Sequence, residues 1–268
     1  MLLTTSILAR NNVNLLGQGS ETMIFAHGFG TDQTAWRNQV KVFEPNYRIV
    51  LFDLVGCGNS DLSAYSPRRY SSLYSYAEDL LDLCHELKLQ NCIFVGHSVS
   101  GMVGVLAALS EPKRFKQLIL LNPSPRYLND GGYVGGFEQS DLDGVYGAMS
   151  SNYHAWASGF AELMMGNPDQ PELAINFAQN LLAMRPDIAV SIAKTIFQSD
   201  HRGDLSRLQV PTVILQSTHD PAVPAAVGEY LAEKIANSRL IPIKSEGHFP
   251  HLSTPETVST AIASCLSN

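Results

Sequence analysis

The chain has 268 residues, 45% hydrophobic and 16% charged, and carries a formal net charge of −7 at pH 7. That length suits one α/β unit with an insertion and is ample for a large core. The acidic balance, with no basic cluster interleaved with aromatics, excludes nucleic acid and an anionic membrane as main partners, and no apolar run reaches the length of a membrane span.

Residues 1–10 offer neither the basic start nor the apolar length of a signal peptide. Cys57, Cys84, Cys92 and Cys265 are scattered, without the paired spacing of zinc or redox sites. Reduced, cytoplasmic residence is the expectation. Residues 5–10 and 13–16, split by Asn11-Asn12, read as an antiparallel hairpin at a sheet edge. An apolar strand at 23–26 runs into His27-Gly28-Phe29-Gly30, a turn whose glycines permit close backbone approach. A strand at 48–53 ends in Asp53 and the tight turn Leu54-Val55-Gly56-Cys57-Gly58-Asn59-Ser60, where the aspartate bonds backbone N–H groups as a structural part. The third glycine and later acid of a dinucleotide fingerprint are missing there. A helix is predicted over 73–87, with Cys84 on it.

The strand at 92–95 is short, β-branched and aromatic, and it places Cys92 in the core. From Val99 to residue 109 the pattern turns helical, through Met102, Val103, Leu106 and Ala107. Between them lies Gly96-His97-Ser98-Val99-Ser100. A serine on so sharp a strand-to-helix turn is lifted clear of the sheet, beside the first N–H groups of the helix. The pattern G-x-S-x-G is broken by Ser100, but serine is still small enough for the helix to pack close. An oxyanion formed at Ser98 would meet the N–H of Val99 and, from the earlier turn, that of Phe29.

After a strand at 117–121 the strands stop. Helical pieces follow at 141–150, 153–165, 171–183 and 186–198, rich in alanine, leucine, methionine and aromatics. Residues 1–121 and 202–268 thus read as the core, and 122–201 as a helical lid over the strand ends. Strands at 212–216 and 239–243 lead into Ser217-Thr218-His219-Asp220-Pro221 and Glu246-Gly247-His248-Phe249, with helices over 225–235 and 255–266. Ser98, Asp220 and His248 therefore stand at three strand ends, in the chain order of an α/β-hydrolase triad. Among eight histidines, His251 is read as packing at a helix entry, His97 as packed or hydrogen-bonding, and His219 as a turn neighbour of Asp220. None has the carboxylate or cysteine spacing of a metal site, so no metal and no cofactor are expected.

The lid carries Trp156, Phe160, Met164, Met165, Phe177 and Phe197. Most of these are core, but a few must border the nucleophile and make a water-poor cavity for a small hydrophobic ester or lactone. A serine at 98 excludes the dehalogenase and epoxide-opening chemistries, which want an aspartate nucleophile there.

Three segments are more specific: GHSVS followed by Gly101-Met102, Asn152-Tyr153-His154-Ala155-Trp156-Ala157-Ser158-Gly159-Phe160-Ala161, and Gly247-His248-Phe249-Pro250-His251-Leu252-Ser253. Together they resemble the RsbQ family of α/β hydrolases, which includes a bacterial sigma-B stress-response regulator and the plant karrikin and strigolactone receptors. The resemblance covers nearly the whole chain, and a serine at position 100 is typical there. It implies an α/β-hydrolase fold, a mostly parallel sheet with helices on both faces and a four-helix V-shaped lid. It implies catalysis by Ser98, Asp220 and His248, and a closed apolar pocket lined by Phe29, Trp156, Phe160 and Ala222. Two functions follow from it. One is a slow serine hydrolase coupled to signalling; the other is a ligand-binding regulator whose lid is read by a signalling phosphatase, such as one with a PAS domain.

Overall fold

The computed structural model describes residues 6–266. Among these residues seven strands form one sheet: β1 (Asn14–Leu16), β2 (Thr22–Ala26), β3 (Arg48–Phe52), β4 (Cys92–His97), β5 (Phe115–Leu121), β6 (Thr212–His219) and β7 (Ser238–Glu246). Their order is β1-β3-β2-β4-β5-β6-β7, and every neighbouring pair is parallel except β1 with β3. Parallel neighbours need crossovers, and helices supply them: α2 (Arg37–Phe43), α3 (Leu73–Glu86), α4 (Val99–Ser110) and α9 (Ala225–Lys234); a single turn α10 (Pro250–Ser253) and α11 (Pro255–Leu266) follow β7.

Side-chain alternation divides the strands between two cores. Met23, Phe25, Ile49, Leu51, Ile93 and Val95 point to one face, where α2 and α11 add Val40, Phe43, Val258 and Ile262. Ile24, Ala26, Val50, Phe52 and Phe94 point to the other, against Leu80, Leu83, Met102 and Leu106 of α3 and α4. With both faces covered, the central strands read as unbroken apolar runs rather than alternating ones.

The hairpin expected before β1 is corrected. Ile7–Arg10 form one helical turn, α1, capped by Ser6, whose side chain accepts from the Ala9 N–H. The serine cap and the left-handed Asn12 (φ 45°) close a turn that the apolar pattern alone had suggested as extended chain. Thr5, the start of that expected hairpin, lies outside the described residues. β1 pairs instead with β3, register Leu15 to Val50. The short α2 is a further addition to the expected elements.

Between β5 and β6 come four helices, α5 (Gln139–Ser151), α6 (Tyr153–Met165), α7 (Pro171–Ala183) and α8 (Pro186–Phe197). Their boundaries follow from punctuation: the Asn152 side chain caps α6, Gly166 ends it in the left-handed conformation, and prolines open α7 and α8. The two ends of the insertion are tied together. His201 N–H donates to Pro125 O (2.8 Å), and Arg126 pairs with Asp200 (3.0 Å).

Candidate active site

β4 passes into α4 through Ser98, whose backbone takes φ 55°, ψ −124°. A non-glycine residue there stores roughly 1–3 kcal/mol of strain and persists only where the surroundings fix it. They do: Ser98 N–H donates to Leu121 O at 2.9 Å, and Gly101 N–H to Ser98 O at 2.9 Å. Ser100, the residue that breaks the glycine pattern, donates its hydroxyl to His27 O and so ties α4 to the end of β2.

The partners arrive from β6 and β7. A bulge between Ser217 and His219 lets the two strands pair again at His219 with Glu246, which brings the residues beyond them side by side. His248 Nε2 lies 2.8 Å from Ser98 Oγ, and its Nδ1 lies 2.7 Å from Asp220 Oδ2. Asp220 can only accept, so Nδ1 carries the proton and Nε2 is left to accept from the serine hydroxyl. The other carboxylate oxygen is held by the N–H groups of Ala222 (2.8 Å) and Val223 (3.0 Å), and the side chain has no exposure. The His248 carbonyl accepts from His97 Nε2 (2.8 Å) and Asn122 Nδ2 (3.2 Å).

Val99 stands at the first position of α4, where N–H groups have no intrahelical acceptor. The turn carrying Phe29 lies directly opposite: a Cβ on Gly28 would come within 3.2 Å of Ser98 Cβ and 2.5 Å of His97 Nδ1. Gly28→Ala is therefore expected to push the turn off the nucleophile. We expect turnover of an activated ester to fall at least about tenfold and stability to drop by about 1–3 kcal/mol in urea unfolding.

Above Ser98 and His248 is a cavity of about 20 Å³, walled by Phe29, Tyr127, Phe160, Phe177, Ala222 and Phe249 among others. Trp156 is not among the lining residues. It stacks behind Phe160 at 5.0 Å and against Tyr153 at 5.2 Å. Met164, Phe160 and Trp156 follow one another along a single face of α6, and eight residues of helix separate the first from the last by about 12 Å. The cavity ends before Trp156 is reached.

Two residues at the site were not anticipated. Tyr127 places its hydroxyl 3.2 Å from Ser98 Oγ, and burial pushes its phenol pKa up, so it stays protonated and can donate to the serine. Asn122 links β5, β6 and the histidine loop, accepting from Ser217 N–H (2.8 Å) while donating to Ser217 Oγ (2.9 Å) and His248 O. Both follow β5 in irregular chain, where periodicity gives no signal. Asn122 also holds a left-handed backbone (φ 47°), a conformation asparagine tolerates.

Asp53 sits away from this chain of groups. It accepts from the N–H groups of Gln33 and Asn59 and from the Asn12 side chain. The four cysteines are buried free thiols; burial, then Asp53 and Asp32, push Cys57 up to about 12. Among the described residues, no group of His, Cys, Asp and Glu could hold a metal ion, and no helix is long and apolar enough to cross a membrane.

Comparison with known proteins places the fold. The alpha/beta hydrolase fold family matches residues 21–255. The chain is 46% identical to the karrikin insensitive 2 receptor CA of Petunia hybrida over 250 residues, 92% of each chain. It is 44% identical to the strigolactone esterase D14 of Arabidopsis thaliana over 251 residues, 93% of this chain and 94% of that one. Among solved structures, a hydrolase from Oleispira antarctica superposes with a TM-score of 0.95 at 36% identity, covering 98% of this chain and 96% of the other. The chain therefore belongs to the alpha/beta hydrolase family and is a homologue of the plant proteins named karrikin insensitive 2 receptor and strigolactone esterase.

Proposed function

We propose that the protein is a serine hydrolase of a small hydrophobic ester or lactone, slow in turnover and coupled to signalling. The observation that carries this reading is the unbroken relay Asp220–His248–Ser98, with 2.7 and 2.8 Å links. In it His248 takes the Ser98 proton as Oγ attacks the carbonyl, and Asp220 steadies the imidazolium. The oxyanion rests on the N–H groups of Phe29 and Val99, and His248 then activates the water that clears the acyl-enzyme.

A void of about 20 Å³ holds a water molecule but no ester. Admission of a ligand thus requires the aromatic wall and the helices behind it to shift, so the insertion acts as a lid. Phe160 is the half-buried part of that wall. Phe160→Ala is expected to raise kcat/KM for p-nitrophenyl butyrate relative to the acetate by about tenfold, read from paired progress curves.

The same coupling of occupancy to lid position favours the second reading, a ligand-binding regulator whose lid is read by a partner. Relatives named as receptors support it, and the RsbQ resemblance supplies a PAS-domain phosphatase as the kind of partner. Free cysteines throughout suit a reducing, cytoplasmic compartment.

Mixing the protein with p-nitrophenyl acetate tests the reading. We expect a burst of one p-nitrophenolate per chain, an acetyl adduct on the peptide bearing Ser98, and a slow steady phase. A steady release with no burst and no adduct, unchanged in Ser98→Ala, overturns it.

A further inference from the structure

The catalytic histidine is bonded to the insertion as well as to the core. A helix leaves its last carbonyls without intrahelical donors. At the C-terminus of α6, the Met164 carbonyl accepts the backbone N–H of His248 itself at 2.8 Å. Gly247, one residue earlier, lies so close that a Cβ would fall 1.9 Å from Met165 O, and its φ of 84° favours glycine independently. Its N–H donates to His219 O at 2.8 Å. Residues 246–248 are thus held between the end of β6 and the end of α6.

One side chain joins the two faces of this contact. Asn167, just past the Gly166 cap, donates Nδ2 to Met165 O (2.6 Å) and to Glu246 O (2.9 Å). We infer that Asn167 is a positioning residue for His248: by bridging the last turn of α6 to the histidine loop, it keeps the Met164 carbonyl on the His248 N–H and the imidazole at its working distance from Ser98. The inference rests on the proposed role of Ser98 and His248.

The argument is one of constraint. The His248 carbonyl is fixed by His97 and Asn122, both of the sheet scaffold, whereas its N–H is fixed by α6 alone. Any displacement of α6 that admits a ligand pulls on the N–H side only and turns the residue about its carbonyl. A displacement of about 1 Å between reacting groups can cost as much as a hundredfold in rate. Asn167 is half-exposed, is not among the residues lining the cavity above Ser98, and bonds there only to the carbonyls of Met165 and Glu246. Its loss should therefore affect activation of the serine and leave ligand binding alone.

The test is phosphonylation by an alkyl fluorophosphonate, in which Ser98 Oγ bonds to phosphorus, fluoride leaves and the serine proton passes to His248. Asn167→Ala and the near-isosteric Asn167→Leu are expected to slow labelling five- to tenfold. In p-nitrophenyl acetate assays kcat should fall by the same factor with KM within twofold. A thermal melt of each variant shows that the protein compared is folded, and a loss of stability alone would leave the labelling rate of the folded protein unchanged. Labelling and kcat within twofold of the parent in both folded variants, or a change confined to KM, overturn the inference alone. Failure of the parent chain to label at Ser98 overturns the nucleophile reading and this inference with it.

Discussion

Ser98→Ala is expected to lower kcat for p-nitrophenyl acetate by at least about a thousandfold, and His248→Ala by a similar factor. The double variant should be no worse than either single one, because the two groups act as a unit across one 2.8 Å bond. Asp220→Asn is the more informative change. Two backbone donors, from Ala222 and Val223, hold one oxygen of the carboxylate, so the amide oxygen of asparagine would take that place. Its NH₂ would then face His248 Nδ1 and force the ring to carry its proton on Nε2, where it can no longer accept from Ser98. We expect a loss of about 10³–10⁴ in kcat with little change in KM, and no burst. Stopped-flow release of p-nitrophenolate reads all four. Retention of the burst in Asp220→Asn would show that the tautomer argument is wrong, while a burst retained in Ser98→Ala would remove the serine from the chemistry.

The meeting of Ser98, Asp220 and His248 was legible in sequence because each stands just beyond a short apolar run, and strand ends on one side of a parallel sheet necessarily meet at one edge. The same holds for α6, α7 and α11, whose limits are written in Asn152, Gly166, Pro171 and Pro255. What sequence could not supply is depth. Trp156 shares a face with Phe160 and Met164, yet only a three-dimensional path shows that the cavity, which reaches Phe160, stops one turn short of it. Nor does any periodicity mark Tyr127, Asn122 or Asn167. These sit in irregular chain, and their roles come from single hydrogen bonds to residues 29, 95 and 79 positions away. The hairpin misreading has the same origin: one turn of helix is too short to show a period, and the Ser6 cap was its only sign.

Acid is expected to unfold this protein earlier than its carboxylates alone would, because of two histidines buried behind the active site. His97 and His251 are fully buried, with ring centroids 4.5 Å apart. His251 also stacks on Trp36 at 4.6 Å. Burial is the main cause that holds His97 well below its ordinary pKa, followed by the charges of His251, His248 and His27. Burial likewise lowers His251 to about 3, with His248, Arg37 and His27 adding to it. The charges facing the pair are all cationic, and the nearby carboxylates Asp220 and Asp53 are turned to His248 and His27. Below pH about 6.5 the unfolded chain therefore binds two protons that the folded chain refuses, and stability falls as pH falls. For His251 the loss begins near 6.5 and continues to about 3, and His97 adds to it in the same direction. At about 1.4 kcal/mol per pH unit, pH 5 costs about 2 kcal/mol through His251. That compares with the roughly 5–15 kcal/mol that holds a typical domain folded. Asp79 opposes this in part, since burial raises its pKa despite Arg10, Tyr70 and Arg69, and it returns stability as pH falls through that raised value. His251→Phe isolates the effect. Among the described residues neither ring nitrogen of His251 has a hydrogen-bond partner, so the substitution breaks no such contact and keeps the stack on Trp36. Urea midpoints at pH 8 and pH 5 should differ less in the variant than in the parent, by about 2 kcal/mol in unfolding free energy. Identical pH dependence in the two proteins would mean that His251 takes up its proton inside the fold, and the buried neutral stack would have to be abandoned.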